Sequence, residues 1–431
     1  MKFMRPLVLV LPVLLALAVP PARAAAAENG EIVSIDKKEF LAKGLGRRGL
    51  DLLMEKEGRI YVVVSPADLA GLFAARVRFA RETDRFYPFA QTGISPAGGL
   101  NGAYHSSLEL ETDLRLLEQG HPGLARVVEL GSSLEGRTIY GLKISDNVDR
   151  DEGEPAAIFL GCHHAREWIS VEVPFLFGKY LLENYAANPE VRDLVDRSEV
   201  WIVPLVNPDG LEYTIHVYRY WRKNRRFNVD GSYGVDINRN YGYQWGYDDI
   251  GSSPFPASDV YRGTGPFSEP EAEVVRRLFL GRSVRAMISF HSFSQVILYP
   301  WGYVNAPAST EPELNAVART MSGLMAAVNG TVYGYGRAAG ELYPTNGDTV
   351  DWAYGVSGIP AFTIELPPVD VDHGGFFNDE AAIDSIFREN LPAMLYLAGY
   401  AVQHPAPRRD QARLRDRILR VPWTIRPGGI R

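Results

Sequence analysis

One short stretch sets the terms for any fold this chain can adopt. It is Gly161-Cys162-His163-His164-Ala165-Arg166-Glu167-Trp168, with His291 far downstream in Ser289-Phe290-His291-Ser292-Phe293-Ser294-Gln295. Two imidazoles (His164, His291) and one carboxylate (Glu167) are the ligand set of a catalytic zinc, which takes three protein ligands and keeps a position for water. A structural zinc site is closed by four ligands and rich in cysteine, whereas this chain has one cysteine. The spacing is not that of a His-Glu-x-x-His helix, where both histidines share a helical face. A local pair that needs a distant third partner has to be assembled by the fold.

An isolated His-x-x-Glu is common by chance, and a lone His291 is more often a core or surface histidine than a ligand. The neighbouring elements change the balance. Ala156 to Leu160 is a continuous apolar run, the pattern of a buried strand, and Ile169 to Ala186 reads as a helix. Val171, Val173, Phe175, Leu176, Tyr180 and Leu181 form its apolar stripe. The pair therefore falls where a strand ends and a helix begins. His291 follows a second buried strand, Ala286 to Phe290. Open α/β sheets place their sites at the carboxyl ends of strands.

The chain opens like a secretory signal over residues 1–24. Lys2 and Arg5 precede an apolar run from Leu7 to Val19, and Ala22-Arg23-Ala24 offers a small-x-small cleavage pattern. That run is too short for a convincing membrane span, so a secreted or periplasmic location is expected. The single Cys162 excludes an internal disulfide and reads as a small buried residue. A net charge of −7 argues against a nucleic-acid partner.

Residues 25–87 read as a small α+β unit. Strands are expected at Ile32 to Ile35, Arg59 to Val64 and Val77 to Ala80, and helices at Lys37 to Lys43 and from Ser65 through Ala75. Ser65-Pro66-Ala67-Asp68 supplies an N-cap, a proline at the first helical position and an acid at the third. The unit holds no histidine and offers no obvious chemistry. A Pro/Gly/Ser-rich linker spans 88–103. The large unit, 104–405, starts with a capping box at Ser106 and Glu109, with Leu110, Leu114 and Leu117 on one helical face. Strands are expected at Val127 to Leu130, Thr138 to Ile144, Ala156 to Leu160, Val200 to Val206, Ala286 to Phe290 and Pro360 to Leu366. Helices between most of the later ones imply an α/β fold with a mixed sheet covered on both faces. The tail 406–431 holds eight arginines and two aspartates and reads as a solvated charge run.

Several separated motifs share one order: Glu135-Gly136-Arg137, His164-Ala165-Arg166-Glu167, Asn207-Pro208-Asp209-Gly210, Trp221-Arg222-Lys223, Asp236-Ile237-Asn238-Arg239-Asn240, Ser289-Phe290-His291-Ser292, Asp351-Trp352-Ala353-Tyr354 and Phe362-Thr363-Ile364-Glu365-Leu366. From about Tyr104 to Ala401 the chain resembles the zinc metallocarboxypeptidases of the pancreatic A and B type, and above all their secreted bacterial relatives. The resemblance implies that family's eight-stranded mixed sheet, one zinc per chain and monomeric action on peptide and protein C-termini. His164, Glu167 and His291 would hold the metal, Asp236 would orient His164, and Glu365 would be the general base. Residue alternation puts Thr363 and Glu365 on one strand face and Phe362, Ile364 and Leu366 on the other. Arg222 matches the carbonyl-polarising arginine, Asn238 and Arg239 the grip on the terminal carboxylate, Arg166 an upstream substrate contact, and Tyr343 the mobile tyrosine. A planar guanidinium can meet a carboxylate with two parallel hydrogen bonds.

By the same resemblance, Gly302, Ala338, Asp348, Val350 and Thr363 would line the pocket for the terminal side chain. Val350 stands where the A type is apolar and the B type acidic, while Asp348 offers a nearby charge. That combination implies broad specificity for apolar ends and also basic ones. In the alternative reading, Asp348 caps its own turn, Thr345-Asn346-Gly347-Asp348. Residues 25–87 stand where the family has its activation segment, which implies a zymogen. An inactive binding module and a hydrolase of cell-wall peptides are the competing classes. The intact ligand and base positions speak against the first, and Asn238, Arg239 and Tyr343 against the second.

Overall fold

The computed structural model describes residues 31–48, 50–82 and 101–404. The expected signal, most of the linker and the Arg-rich tail lie outside them. Two sheets organise the chain. The first is four-stranded, in the order β2-β3-β1-β4, from β1 (Glu31–Asp36), β2 (Asp51–Lys56), β3 (Arg59–Val64) and β4 (Phe79–Arg81). Its pairings are all antiparallel. Helices Lys37–Ala42 and Pro66–Ala74 accompany it, the second opened by the expected Ser65–Asp68 capping box.

Strand β2 was not anticipated in the sequence. Asp-Leu-Leu-Met-Glu-Lys is made mostly of helix formers. It is extended because Glu57 and Gly58, both at positive φ, turn it back onto β3. Tertiary pairing here overrides local propensity.

The second sheet is eight-stranded, in the order β11-β10-β12-β9-β7-β8-β6-β5. Its strands are β5 (Ala125–Ser132), β6 (Thr138–Ile144), β7 (Pro155–Leu160), β8 (Glu199–Val203), β9 (Ser283–Ser292), β10 (Val296–Tyr299), β11 (Gly334–Arg337) and β12 (Ala361–Leu366). The central strands β8, β7, β9 and β12 run parallel, while β5, β6 and β10 introduce antiparallel pairs. β10 and β11 were not anticipated: each has four residues, and the Gly334-Tyr-Gly-Arg edge strand carries little β propensity of its own. β8 ends at Val203, short of the expected Val206, because Pro204 has no N–H for the ladder.

Side-chain alternation explains the layers. Along β7, Ala157 and Phe159 enter one core with Phe177, Phe290, Phe362 and Leu397. Ile158 and Leu160 enter the other with Trp201, Met287, Val275 and Trp352. A strand buried on both faces reads as a continuous apolar run, which is why β7 and β9 were legible.

The small unit packs onto the large one through Ile32, Leu53, Tyr61 and Val63 against Tyr220, Phe293, Val371 and Phe376. Lys56 adds ion pairs to Asp370 at 3.2 Å and to Asp372. Among the described residues, no helix is long and apolar enough to cross a membrane.

Candidate active site

The site forms where β7, β9 and β12 end. After Leu160 the chain turns through Gly161, where a Cβ would lie 2.1 Å from Ser170 O and 2.5 Å from Pro204 O. Only glycine lets the backbone pass, and it does so just before the ligand pair. Helix Ile169–Asn184 then begins, with Glu167 two residues ahead of it. His291 sits near the end of β9, and the ladder to β12 pairs it with Glu365. The sheet therefore brings the base candidate beside a ligand candidate across 74 residues of chain.

His164 Nδ1 lies 2.8 Å from Glu167 Oε1, His291 Nδ1 lies 3.0 Å from Glu167 Oε2, and the two Nδ1 atoms are 3.1 Å apart. Three Lewis bases packed this closely match the edges of a coordination tetrahedron, roughly 3.3 Å for metal–nitrogen bonds of ~2.0–2.1 Å. The donor set thus fits zinc. Among the described residues, the only other such group is Asp146, Glu152 and Glu154, which is partly exposed and all-carboxylate. Burial alone would raise the Glu167 carboxyl, but the adjacent His164 and His291 rings hold it below the usual range. The far side of His164, Nε2, faces Asp236 Oδ1 at 3.3 Å. Asp236 also accepts from Arg222 Nε at 2.9 Å and from the Asn238 amide N–H at 3.0 Å. Burial would raise Asp236 too, yet Arg222, Arg239 and His164 hold it well below the ordinary aspartate value.

Glu365 behaves oppositely. Burial, reinforced by the charge of Glu167, pushes its carboxyl well above the usual range, against the pull of Arg222, Arg166 and Arg239. Two neighbouring carboxylates are thus set apart, one anionic and one able to carry a proton.

One cavity brings together His164, Arg222, Asn238, Arg239, His291, Ala338, Tyr343, Asp348, Val350, Thr363 and Glu365. Arg239 is fixed by Nε donation to Gly251 O at 2.8 Å and Nη1 donation to Asn238 O at 2.9 Å. Asp348 has a structural occupation: Oδ1 accepts from the Val350 and Asp351 amides at 3.0 and 2.8 Å, capping helix Thr349–Ser357. Its Oδ2 accepts from the Thr345 hydroxyl at 2.6 Å. Gly302 is not among the residues that line this cavity; a Cβ there would crowd the Thr345 and Asp348 side chains, at 2.2 Å from Thr345 Oγ1 and 2.7 Å from Asp348 Oδ2.

Three residues of the site were not singled out in the sequence. Asp351 accepts from Gly302 N at 2.9 Å and Tyr303 N at 3.0 Å, shaping the cavity wall. His163, next to the ligand pair, is wholly buried. Asp51, from the unit without obvious chemistry, lies 2.7 Å from Arg166 and 3.8 Å from Arg222. Leu52 and Leu53 line the same cleft beside His164, Glu167, Tyr343 and Glu365. Acid at the third position of a capped helix was a usable signal for Asp351, whereas Asp51 had none.

Comparison with known proteins agrees with this geometry. The model of the family described as Zinc carboxypeptidase matches residues 110–393. The chain is 32% identical over 375 residues to a zinc carboxypeptidase of Saccharothrix mutabilis subsp. capreolus, covering 82% of this chain and 85% of that one. It is 34% identical over 288 residues to human carboxypeptidase B, covering 66% and 67%. Among solved structures, carboxypeptidase A from Helicoverpa armigera superposes with a TM-score of 0.72 at 25% identity, covering 87% of this chain and 98% of that one. That span is longer than 104–405 and so reaches into the small N-terminal unit. The chain belongs to the zinc carboxypeptidase family, as a peptide hydrolase acting on peptide C-termini with one catalytic zinc per chain.

Proposed function

We propose that this is a secreted exopeptidase, made as a zymogen, in which His164, Glu167 and His291 hold the zinc and Glu365 is the general base. The observation that carries this reading is the pairing of His291 with Glu365 across β9 and β12, beside a cavity lined by Arg222, Asn238 and Arg239. Zinc held by these residues would supply Lewis acidity and would make a water nucleophilic near neutral pH. Glu365 is placed to take a proton from an attacking water and pass it to the leaving amine nitrogen, a task suited to a carboxyl whose affinity for protons is raised. Arg222, held by Asp236, faces the negative charge that develops on the carbonyl oxygen. Asn238 and Arg239 grip the terminal carboxylate, Tyr343 closes over the last residue, and Arg166 contacts the peptide further upstream.

The pocket favours apolar ends. Val350 and Ala338 leave room for Leu, Phe or Tyr, and both Asp348 oxygens already have partners. Basic ends are cut more slowly, since a buried pair gains little when its carboxylate is committed elsewhere. Residues 25–87 act as an activation segment. Support comes from Asp51, which lies 2.7 Å from Arg166 and 3.8 Å from Arg222, and from Leu52 and Leu53, which line the cleft beside His164, Glu167 and Glu365. Residues 1–24 serve as the export signal.

Glu365→Gln tests the central assignment. It is expected to keep zinc and bind peptide while turnover falls at least ~100-fold, the usual scale for a lost general base. Near-normal turnover would assign the base elsewhere.

A further inference from the structure

We infer that His163 is a positioning residue that joins the metal ligand His291 to the carboxylate-binding Asn238 through one directional chain of hydrogen bonds. The inference rests on the ligand assignment proposed above.

The direction of each bond follows from counting protons. His291 Nδ1 faces His164 and Glu167 at 3.1 and 3.0 Å, so as a ligand it must offer a lone pair there. Its proton then sits on Nε2, which lies 3.0 Å from Ser289 Oγ and donates to it. Ser289 has a single hydroxyl proton, and its other neighbour is His163 Nδ1 at 3.2 Å. The hydroxyl therefore donates to His163, which makes Nδ1 an acceptor and places the His163 proton on Nε2. That proton goes to the Tyr241 hydroxyl at 2.8 Å, with Thr349 Oγ1 alongside at 3.2 Å. Thr349 in turn donates from its hydroxyl at 2.7 Å and its backbone N–H at 2.9 Å, both to Asn238 Oδ1.

The last step matters most. With two donors on Oδ1, the amide oxygen of Asn238 is fixed, so its NH2 end is the one left for the cavity it lines. A carboxylate needs that donor, and a flipped amide would present an oxygen to it. His163 and Ser289 are fully buried, so a reversed Ser289 hydroxyl would point its proton at the His291 Nε2–H and leave His163 Nδ1 without a donor. A histidine that only fills space needs partners but need not transmit an orientation. Here the His163 ring passes on the sense that His291 imposes on the Ser289 hydroxyl, presenting a proton toward Tyr241 and Thr349.

The test uses the full-length zinc-loaded protein and 3-phenylpropanoate, a carboxylate with an apolar arm and no amine. Zinc release to excess chelator is timed with and without the probe. In the parent protein the probe slows release. In His163→Phe, release is expected to be several-fold faster, short of the ~10–100-fold for removing the direct partner of a metal-bound imidazole, because Ser289 still accepts from His291. The slowing by the probe should fall to that of Asn238→Ala, and the double variant should be no worse, since both changes cut one chain. His163→Gln offers one acceptor and one donor and should restore most of both effects. Ser289→Ala cuts the chain one hydroxyl earlier and reads the same way if His163→Phe does not fold. Parent-like zinc release in a folded His163→Phe, or effects of His163→Phe and Asn238→Ala that multiply, would overturn the inference. Full zinc occupancy in His291→Ala would instead remove the ligand assignment beneath it.

Discussion

Two buried arginines flank the same cleft and are neutralised in different ways. Arg222 donates from Nε to Asp236 at 2.9 Å, and that aspartate also faces His164 and takes the Asn238 amide. Arg166 has Asp51 at 2.7 Å, yet neither Asp51 Oδ2 nor Arg166 Nε makes a hydrogen bond. The first pair lies within the large unit and is aligned through Nε, although Arg222 Nη2, 2.9 Å from the same carboxylate oxygen, makes no hydrogen bond. The second crosses between units and is close but misaligned, compensating charge with little directional bonding. A pair of the first kind belongs to the machinery, whereas one of the second kind can be opened without disturbing it.

Asp236→Ala should have the largest effect. It strands a buried guanidinium and frees His164, at a cost of about 3–5 kcal/mol in stability and ~10–100-fold in zinc affinity. Denaturant melts and chelator competition measure the two losses. If Asp51→Ala cost as much stability, the contrast between the pairs would collapse.

Asp51→Ala should instead raise activity. The uncut chain is expected to hydrolyse a blocked peptide roughly 10-fold faster, a conservative figure for truncating one partner of an interfacial charge pair. The melting curve of the large unit should hardly move. An unchanged rate would show that the small unit restrains the enzyme through its apolar seam, or not at all.

Lys56→Ala probes the edge of that seam, where Lys56 meets Asp370 and Asp372. These groups are partly exposed, so the uncut chain should gain at most a few-fold in rate. Salt at ~1 M should erase the difference, because the screening length falls to about 3 Å.

A change in stability rather than in rate is expected from pH, at a point away from the seam. His105 opens the large unit and is held by Glu172 at 2.7 Å and Asp113 at 3.1 Å. Burial opposes its charge, but those carboxylates outweigh it and lift the ring from 6.5 to about 9. A raised folded value stabilises fully below about 6.5, and that contribution is lost as pH rises through about 9. The loss is on the order of 2 kcal/mol, from a shift of this size on a mostly buried ring. Melts between pH 6 and 10 should show it in the parent and not in His105→Gln.

How much of this was legible depends on where each signal resides. Strands β7 and β9 announced themselves because both faces are buried, and alternation put Glu365 on the face opposite Ile364. The gathering of Arg222, Asn238, Arg239 and Tyr343 around one cavity was legible only through ordered motifs, since nothing local to those residues points them together. Asp348 was read as a pocket charge or a turn cap, and the structure gives it the cap while leaving it on the cavity wall. Asp51 was illegible. It sits in a run of helix formers that becomes a strand only through β3, and its partners lie more than a hundred residues away in sequence.

The ladder between β9 and β12 acts as a gauge. His291 and Glu365 keep their separation because the backbones count residues in step, so a slip of one position would carry Glu365 to the opposite face. Length changes outside the ladder, in the loops beyond Ser292 and Leu366, leave that count untouched. Substitutions at Ala338 or Val350 could therefore alter what enters the pocket while the spacing of His291 and Glu365 is kept. A single inserted residue within either strand would turn His291 or Glu365 away from the other and disable the enzyme.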